Sequence, residues 1–293
     1  MICTLCPRRC GIDRSTQTGF CGERETLRIA RAAPHMWEEP PISGTHGSGT
    51  IFFSGCGLRC VFCQNHEIAV SHLGYDITPE ALAETMLRLQ SEGVHNINLV
   101  TASHFTIQLI PVLEYVKTHG LTIPIVWNSS GYELPDTLNM LSGLVDIYLP
   151  DFKYLSPRLA ADYSHAPDYP DVAKAALAEM VRQQGKQVFD ADGLLRSGVQ
   201  VRHLVLPGAA QESRKLLYYL HQTYGERIGI SIMNQYTPMP QCKAHPLLSR
   251  RVTEREYDLV MQFAEQIGIV NAFTQEGEAA AESFIPEWNG TPS

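Results

Sequence analysis

The sequence predicts an α/β fold, a partial (βα)6 barrel with a small N-terminal Cys-rich metal-binding module. Three observations predict it. From about residue 50 onward, short apolar runs alternate with helical periodicities, the pattern of βα units feeding a parallel sheet. Six such runs occur, fewer than the eight that close a barrel. Seven of the eight cysteines fall within the first 63 residues, too concentrated for a disulfide framework spread over a secreted domain and suited to metal binding. The module is placed at residues 1–45 and the core domain at 46–293.

Residues 1 to about 45 are rich in Cys, Arg, Pro and Gly with little periodicity, which predicts a loop-rich, metal-stapled unit. The candidate strands are 50–54, 96–100, 123–127, 145–149, 199–206 and 228–232. Thr78 is placed to cap a helix with Pro79 at its first position, and Leu82, Met86 and Leu89 share one face before Gly93 ends it. A second helix spans about 105–119, with Pro111 expected to kink it. Leu216, Leu217 and Leu220 mark another after Gly208. The last has a capping-box pattern, Thr253 with Glu256, followed by Tyr257, Val260, Phe263, Ala264 and Ile267 at helical spacing and then Gly268. Residues 156–170 show no clear pattern and are read as a lid, a substrate loop or a connection.

Composition narrows the function. With 44% hydrophobic and 18% charged residues, the 293-residue chain can build a full core. A net charge of −8 disfavours nucleic acid as the main partner, since neutralising phosphates needs clustered Lys and Arg. No apolar run approaches a membrane span. The start, Met-Ile-Cys-Thr-Leu-Cys-Pro-Arg-Arg, lacks the apolar stretch of a signal peptide, so a reducing cytoplasm is the expected compartment.

The most informative segment is Thr50-Ile-Phe-Phe-Ser-Gly-Cys-Gly-Leu-Arg-Cys-Val-Phe-Cys-Gln-Asn65. Cys56, Cys60 and Cys63 follow C-x3-C-x2-C, with Phe62 before the third cysteine. Three thiolates are one short of the four that hold a cubane 4Fe-4S cluster, which leaves one iron open to bind a small molecule. Cys3, Cys6, Cys10 and Cys21 follow C-x2-C-x3-C-x10-C. Four thiolates suit a closed tetrahedral zinc site or a second cluster; zinc is the preferred reading for so short a staple.

C-x3-C-x2-C with an aromatic before the last cysteine resembles the signature of radical S-adenosylmethionine (SAM) enzymes. That resemblance implies a partial barrel, a 4Fe-4S cluster held by Cys56, Cys60 and Cys63, and SAM bound to the open iron. One-electron cleavage of SAM then gives methionine and a 5′-deoxyadenosyl radical that abstracts hydrogen. An electron donor such as flavodoxin or ferredoxin is implied as a partner. The runs Cys3-x2-Cys6-Pro-Arg-Arg-Cys10, Gly19-x-Cys21-Gly22, Trp37-Glu-Glu-Pro-Pro-Ile-Ser-Gly44, Asn98-Leu-Val-Thr101, Asn128-Ser-Ser-Gly-Tyr132 and Met233-Asn-Gln-Tyr236 are together similar to the PflX group, relatives of pyruvate formate-lyase activating enzyme. The similarity covers nearly the whole chain.

In parallel βα folds the site gathers at the carboxyl ends of the strands. Those ends carry Thr101-Ala-Ser-His104, Asn128-Ser-Ser-Gly131, Asp151-Phe-Lys153, Pro207-Gly208 and Asn234-Gln-Tyr236. The superfamily's Gly-Gly-Glu-like element after the second strand is missing here; Thr101 or neighbours such as Ser103 are the candidate replacements. The resemblance implies ribose contacts for Asn128, Ser129 and Ser130. It also likens Asp151-Phe-Lys153 to the Asp-x-Lys of glycyl-radical activases, with Lys153 suited to a carboxylate and Asp151 to a ribose or cation. Arg202 lies in an apolar strand and needs an anion, either the SAM carboxylate or a protein Asp or Glu. Cys242 is read as a structural thiol, and His35, Trp37, Glu38 and Glu39 as framing the cluster mouth or packing between module and barrel.

The leading functional expectation is an activase that takes hydrogen from a glycine of a glycyl-radical enzyme. The alternatives are radical modification of a small molecule or peptide, and a non-catalytic iron–sulfur or zinc protein.

Overall fold

The structure is a computed structural model, and it describes residues 2–269 and 272–274. Its centre is a ten-stranded sheet in the order β10-β9-β8-β6-β5-β4-β2-β1-β3, with β7 paired to β8. The strands are β1 Arg28–His35, β2 Ser48–Phe53, β3 Tyr75–Asp76, β4 Ile97–Val100, β5 Ile125–Ser129, β6 Ile147–Pro150, β7 Val188–Phe189, β8 Leu195–Leu204, β9 Gly229–Met233 and β10 Ala272–Thr274. From β2 to β10 along the main path every neighbour is parallel. The six candidate strands are β2, β4, β5, β6, β8 and β9, and β10 adds a seventh parallel strand that the sequence reading did not include. Among the described residues the path does not close on itself, giving an open crescent.

The helices are α1 Pro40–Ser43, α2 His66–Ala69, α3 Pro79–Ser91, α4 Thr106–Thr118, α5 Pro135–Asn139, α6 Pro157–Ser164, α7 Tyr169–Gln184, α8 Ala210–Tyr224 and α9 Glu254–Gln266. Thr78 caps α3 by accepting from the Ala81 N–H, and Thr253 and Glu256 form the full capping box on α9. Helix α4 runs unbroken through Pro111. The patternless stretch 156–170 is not a loop: Ser156 caps α6 by accepting from the Leu159 N–H, and α7 begins at Tyr169.

Residues 28–35, assigned by the sequence to the amino-terminal module, form β1. It pairs antiparallel with β2 and lies inside the sheet. Its sequence, RIARAAPH, lacks strict alternation because both of its faces are partly covered: Ile29 and Ala32 join the large cluster, and Ala30 packs with Phe52, Ile68 and Val100.

Alternation along the strands sorts the core into two layers. Trp127, Tyr148, Val199 and Val201 join the large cluster between sheet and helices. Val126, Ile147, Leu149 and Leu195 form a separate cluster with Ile42 of α1, so α1 fills the inner side of the crescent. Pro40 and Pro41 preset its first turn, and Asn96 holds it by donating from Nδ2 to the Ile42 carbonyl at 2.7 Å.

His203 on the outer face of β8 ties β6 to α8. Its Nδ1–H donates to the Phe152 carbonyl and its Nε2 accepts from Ser213 Oγ, each at 2.9 Å. Burial pulls its pKa down to about 4, so the folded chain holds it neutral while the unfolded chain protonates it below about pH 6.5. Stability from this group is full above that value and is lost as pH falls toward about 4.

Two outcomes follow. Ile42→Ala is expected to cost about 2–4 kcal/mol in urea unfolding, and a cost below about 1 would show that α1 does not plug the crescent. Unfolding free energy is expected to fall between pH 6.5 and 4, with a shallower fall in His203→Gln measured in parallel.

Candidate active site

The loop after β2 carries Cys56, Cys60 and Cys63, all unpaired thiols. Its path needs positive φ at Gly55 and Arg59. At Gly55 a side chain would strike the Cys21 carbonyl at 2.8 Å, so glycine is required there. Leu58 and Phe62 point into the core and anchor the loop. Neighbouring segments grip its backbone: the Val61 N–H donates to the Tyr163 carbonyl at 2.9 Å, Gln241 Nε2 donates to the Cys63 carbonyl at 3.2 Å, and Cys242 Sγ contacts the Val61 carbonyl at 3.4 Å. Cys242 is buried and serves this packing.

Burial pushes the Cys60 thiol up to about 11, and pushes Cys63 further, with the charges of neighbouring cysteines adding to both. Thiols held in this way give up their protons when a cation compensates them. Polar hydrogens already point at two of the sulfurs: Ser164 Oγ lies 3.0 Å from Cys60 Sγ, and the Leu58 N–H lies 3.4 Å from Cys56 Sγ. Three unpaired thiols in one loop, with donors aimed at their sulfurs, fit a cluster that each thiolate binds through a different iron. Among the described residues no three Cys, His, Asp or Glu side chains converge closely enough to hold a single ion. A tetrahedral zinc would need its sulfurs about 3.8 Å apart, from Zn–S bonds of ~2.3 Å.

The amino-terminal cysteines lie directly against this loop. The Cys56 N–H donates to the Cys21 carbonyl at 3.2 Å, and a side chain on Gly57 would meet Cys6 Sγ at 3.8 Å. Cys10 and Cys21 both flank Gly19, each 3.5 Å from where its side chain would begin. Burial raises the Cys6 thiol to about 11, and Cys21, Cys10 and Cys3 add to the rise. Arginine-to-carbonyl bonds dock the module: Arg8 Nε donates to the Gly57 carbonyl at 2.8 Å, and buried Arg14 donates to the carbonyls of His104 and Arg24.

Inside the crescent, the inward residues of four strands meet. Arg202 of β8 donates from Nε to Asp151 Oδ1 at 3.0 Å, from Nη2 to Asn128 Oδ1 at 2.6 Å, and from Nη1 to Glu38 Oε2 at 3.3 Å. Lys153 Nζ donates to Asp151 Oδ2 at 2.6 Å. Ser231 Oγ of β9 donates to Glu39 Oε2 at 2.5 Å. The sequence left two anions open for Arg202, and the structure gives it protein carboxylates. Burial alone would raise the Asp151 pKa, but the Arg202 and Lys153 cations outweigh it and hold the carboxyl below its usual value. Burial raises Glu38 and Glu39, only partly offset by Arg202. Glu38 and Glu39, just before α1, thus join this polar layer through Arg202 and Ser231.

Asn128, Asp151, Lys153 and Arg202 are therefore brought together in one hydrogen-bonded group. Ser103 and Ser129 are not. Alternation turns Ser129 outward with Trp127 when Asn128 turns inward. There Ser129 Oγ, Ser103 Oγ and Trp127 Nε1 all donate to the buried Glu133 carboxylate, at 2.5, 2.6 and 2.7 Å. Glu133 was missed, and its signal in sequence was a lone acidic residue four places after Ser129, following Ser130, Gly131 and Tyr132. Ser130 offers its carbonyl to Tyr169 Oη at 2.9 Å, and the same hydroxyl bonds the Asp151 carbonyl at 3.0 Å and the Lys153 N–H at 2.9 Å. Thr101 ends β4 with φ +61°, a strained setting for a β-branched residue that occurs where a site over-determines the backbone.

Residues 50–193 match the model of the Radical SAM superfamily. The chain is 27% identical over 274 residues to the uncharacterised protein MJ0674 of Methanocaldococcus jannaschii, covering 91% of this chain and 75% of that one. A second protein of that organism, MJ0808, is 22% identical over 261 residues, covering 83% and 70%. Among solved structures, Streptococcus suis SuiB superposes with TM-score 0.51 at 13% identity over 77% of this chain. The chain spans about half of SuiB's length (48%), and at this identity the likeness speaks for the fold. The chain carries a radical SAM domain, which implies a 4Fe-4S cluster and SAM. No helix among the described residues is long and apolar enough to cross a membrane.

Asp151→Asn is expected to leave Arg202 and Lys153 without their shared anion and to cost about 3 kcal/mol in denaturant unfolding. A cost within about 0.5 kcal/mol of zero would show that Glu38 alone satisfies Arg202.

Proposed function

We propose that this chain is a radical SAM enzyme that takes a hydrogen atom from a glycine in a partner polypeptide, acting as the activase of a glycyl-radical enzyme. The observation that carries the enzymatic part is the placement of Cys56, Cys60 and Cys63 on one loop at the carboxyl end of β2, beside the polar layer built on Arg202. When bound, the cluster and SAM supply a 5′-deoxyadenosyl radical after one electron arrives from a donor such as flavodoxin or ferredoxin.

The chain's own residues position the reactants. Asn128 and Thr101, at adjacent strand ends joined by the Thr101 N–H to Asn128 carbonyl bond of 2.9 Å, suit the ribose and amino group. Lys153, kept cationic by Asp151 even though burial opposes its charge, suits the SAM carboxylate. Arg202 holds Asn128 and Asp151 in place rather than meeting ligand directly. Buried Leu58, Phe62 and Tyr236 shield the cluster loop from water on its core side. The open crescent supports a polypeptide acceptor, because a missing wall admits a loop that a closed barrel would exclude.

The same reading gives Cys3, Cys6, Cys10 and Cys21 a second metal centre, as a zinc staple or an iron–sulfur cluster. Iron and zinc content per chain, with electron paramagnetic resonance of Cys56→Ala, separates the two: a persisting cluster signal sinks zinc.

Reductant-dependent formation of 5′-deoxyadenosine and methionine is expected in the native chain. It should fall at least a hundredfold in Cys56→Ala, Cys60→Ala and Cys63→Ala. Undiminished turnover in those variants would refute the enzymatic reading. Deuterium appearing in 5′-deoxyadenosine from a glycine-labelled partner supports the activase; transfer only from free small molecules overturns it.

A further inference from the structure

We propose that Ser164 is a positioning residue whose hydroxyl, through Cys60, sets the reduction potential of the catalytic cluster. The inference rests on the reading of Cys56, Cys60 and Cys63 as cluster ligands.

Ser164 is the last residue of α6 and is fully buried. Its Oγ lies 3.0 Å from Cys60 Sγ and 3.0 Å from the Tyr154 hydroxyl, itself buried. Proton counting fixes the direction of both bonds. A ligating Cys60 is a thiolate and can only accept, so Ser164 spends its single proton on sulfur. Tyr154 then donates to Ser164, which polarises the serine and strengthens its bond to sulfur. Burial holds the Tyr154 phenol well above its usual pKa, so it keeps the proton this requires.

The placement is built rather than incidental. Arg8 donates to the Gly57 carbonyl on the cluster loop at 2.8 Å and to the His165 and Ser164 carbonyls at the end of α6, at 2.6 and 3.3 Å. One guanidinium therefore clamps both sides of the contact. The Val61 N–H to Tyr163 carbonyl bond repeats the clamp one residue away on each strand of the contact. His165 turns α6 off with φ +54°, ending the helix where the hydroxyl meets the sulfur. Cys60 is buried, so water competes little at the sulfur that Ser164 reaches.

Reduction adds one electron, and the added charge spreads onto the thiolate sulfurs. A hydrogen bond to sulfur stabilises the reduced form more than the oxidised one and raises the potential. The test is a redox titration of the cluster-loaded full chain, followed by electron paramagnetic resonance of the reduced cluster. The signal is assigned to the catalytic site by its loss in Cys56→Ala. Ser164→Ala is expected to shift the midpoint to more negative potential, by up to a tenfold change in the reduction equilibrium, about 59 mV for one electron. Tyr154→Phe is expected to shift it the same way by less, and Ser164→Thr to restore it. A midpoint unchanged in both Ser164→Ala and Tyr154→Phe, at equal cluster content, would overturn the inference and leave the functional reading standing. A wild-type chain that forms no reducible cluster would overturn both.

Discussion

The charge array around Arg202 is the interaction on which the rest of the interior depends. One guanidinium reaches Asp151 after β6, Asn128 on β5 and Glu38 below them, so three separate segments are tied to β8 at one point. A buried guanidinium without anions would cost several kcal/mol, and that penalty holds Asp151, Asn128 and Glu38 in one arrangement. Lys153 completes the array and brings its charge toward Cys60, whose thiol it lowers against the rise caused by burial. The array thereby joins the floor of the site to the cluster loop electrostatically as well as sterically.

A second constraint acts from outside the barrel. Arg8, Arg14 and Leu5 of the amino-terminal segment hydrogen-bond to three barrel segments: Arg8 donates to the Gly57 carbonyl, Arg14 donates to the His104 carbonyl, and the Leu5 carbonyl accepts from the Thr137 hydroxyl at 2.7 Å. Bonds from arginine to carbonyls fix position without neutralising charge. They also bring the two cysteine sets into contact at Gly57 and Cys21. The contact gives the amino-terminal segment a mechanical role in shaping the loop.

Much of the site was legible in residue types and spacing. Cys56, Cys60 and Cys63 declare themselves because three close thiols have few other uses, and the inward group Asn128, Asp151, Lys153 and Arg202 follows from strand ends in a parallel sheet. Ser103 and Ser129 were misplaced for a definite reason. A polar residue at a strand end reads the same whichever face it takes, and the one-residue step from Asn128 to Ser129 reverses the face. Glu133 then collects both hydroxyls and the Trp127 indole on the outer side. Strand β1 was hidden because RIARAAPH has neither a strict period of two nor β-branched content beyond Ile29, and its strand character comes from pairing with β2.

By itself the sequence determined the parallel α/β class, the six main strands, the capped helices α3 and α9, and the cysteine spacing that defines the radical SAM domain. These are local properties, set by periodicity, capping chemistry and ligand spacing within a few residues. Only the tertiary structure decided which anion Arg202 meets, that Glu38 and Glu39, just before α1, reach Arg202 and Ser231, and that Ser164 places its hydroxyl on Cys60 from 104 residues away in the chain. Contacts across such separations leave no local pattern. They exist only once burial has removed water as a partner and each buried polar group must find its counterpart in the fold.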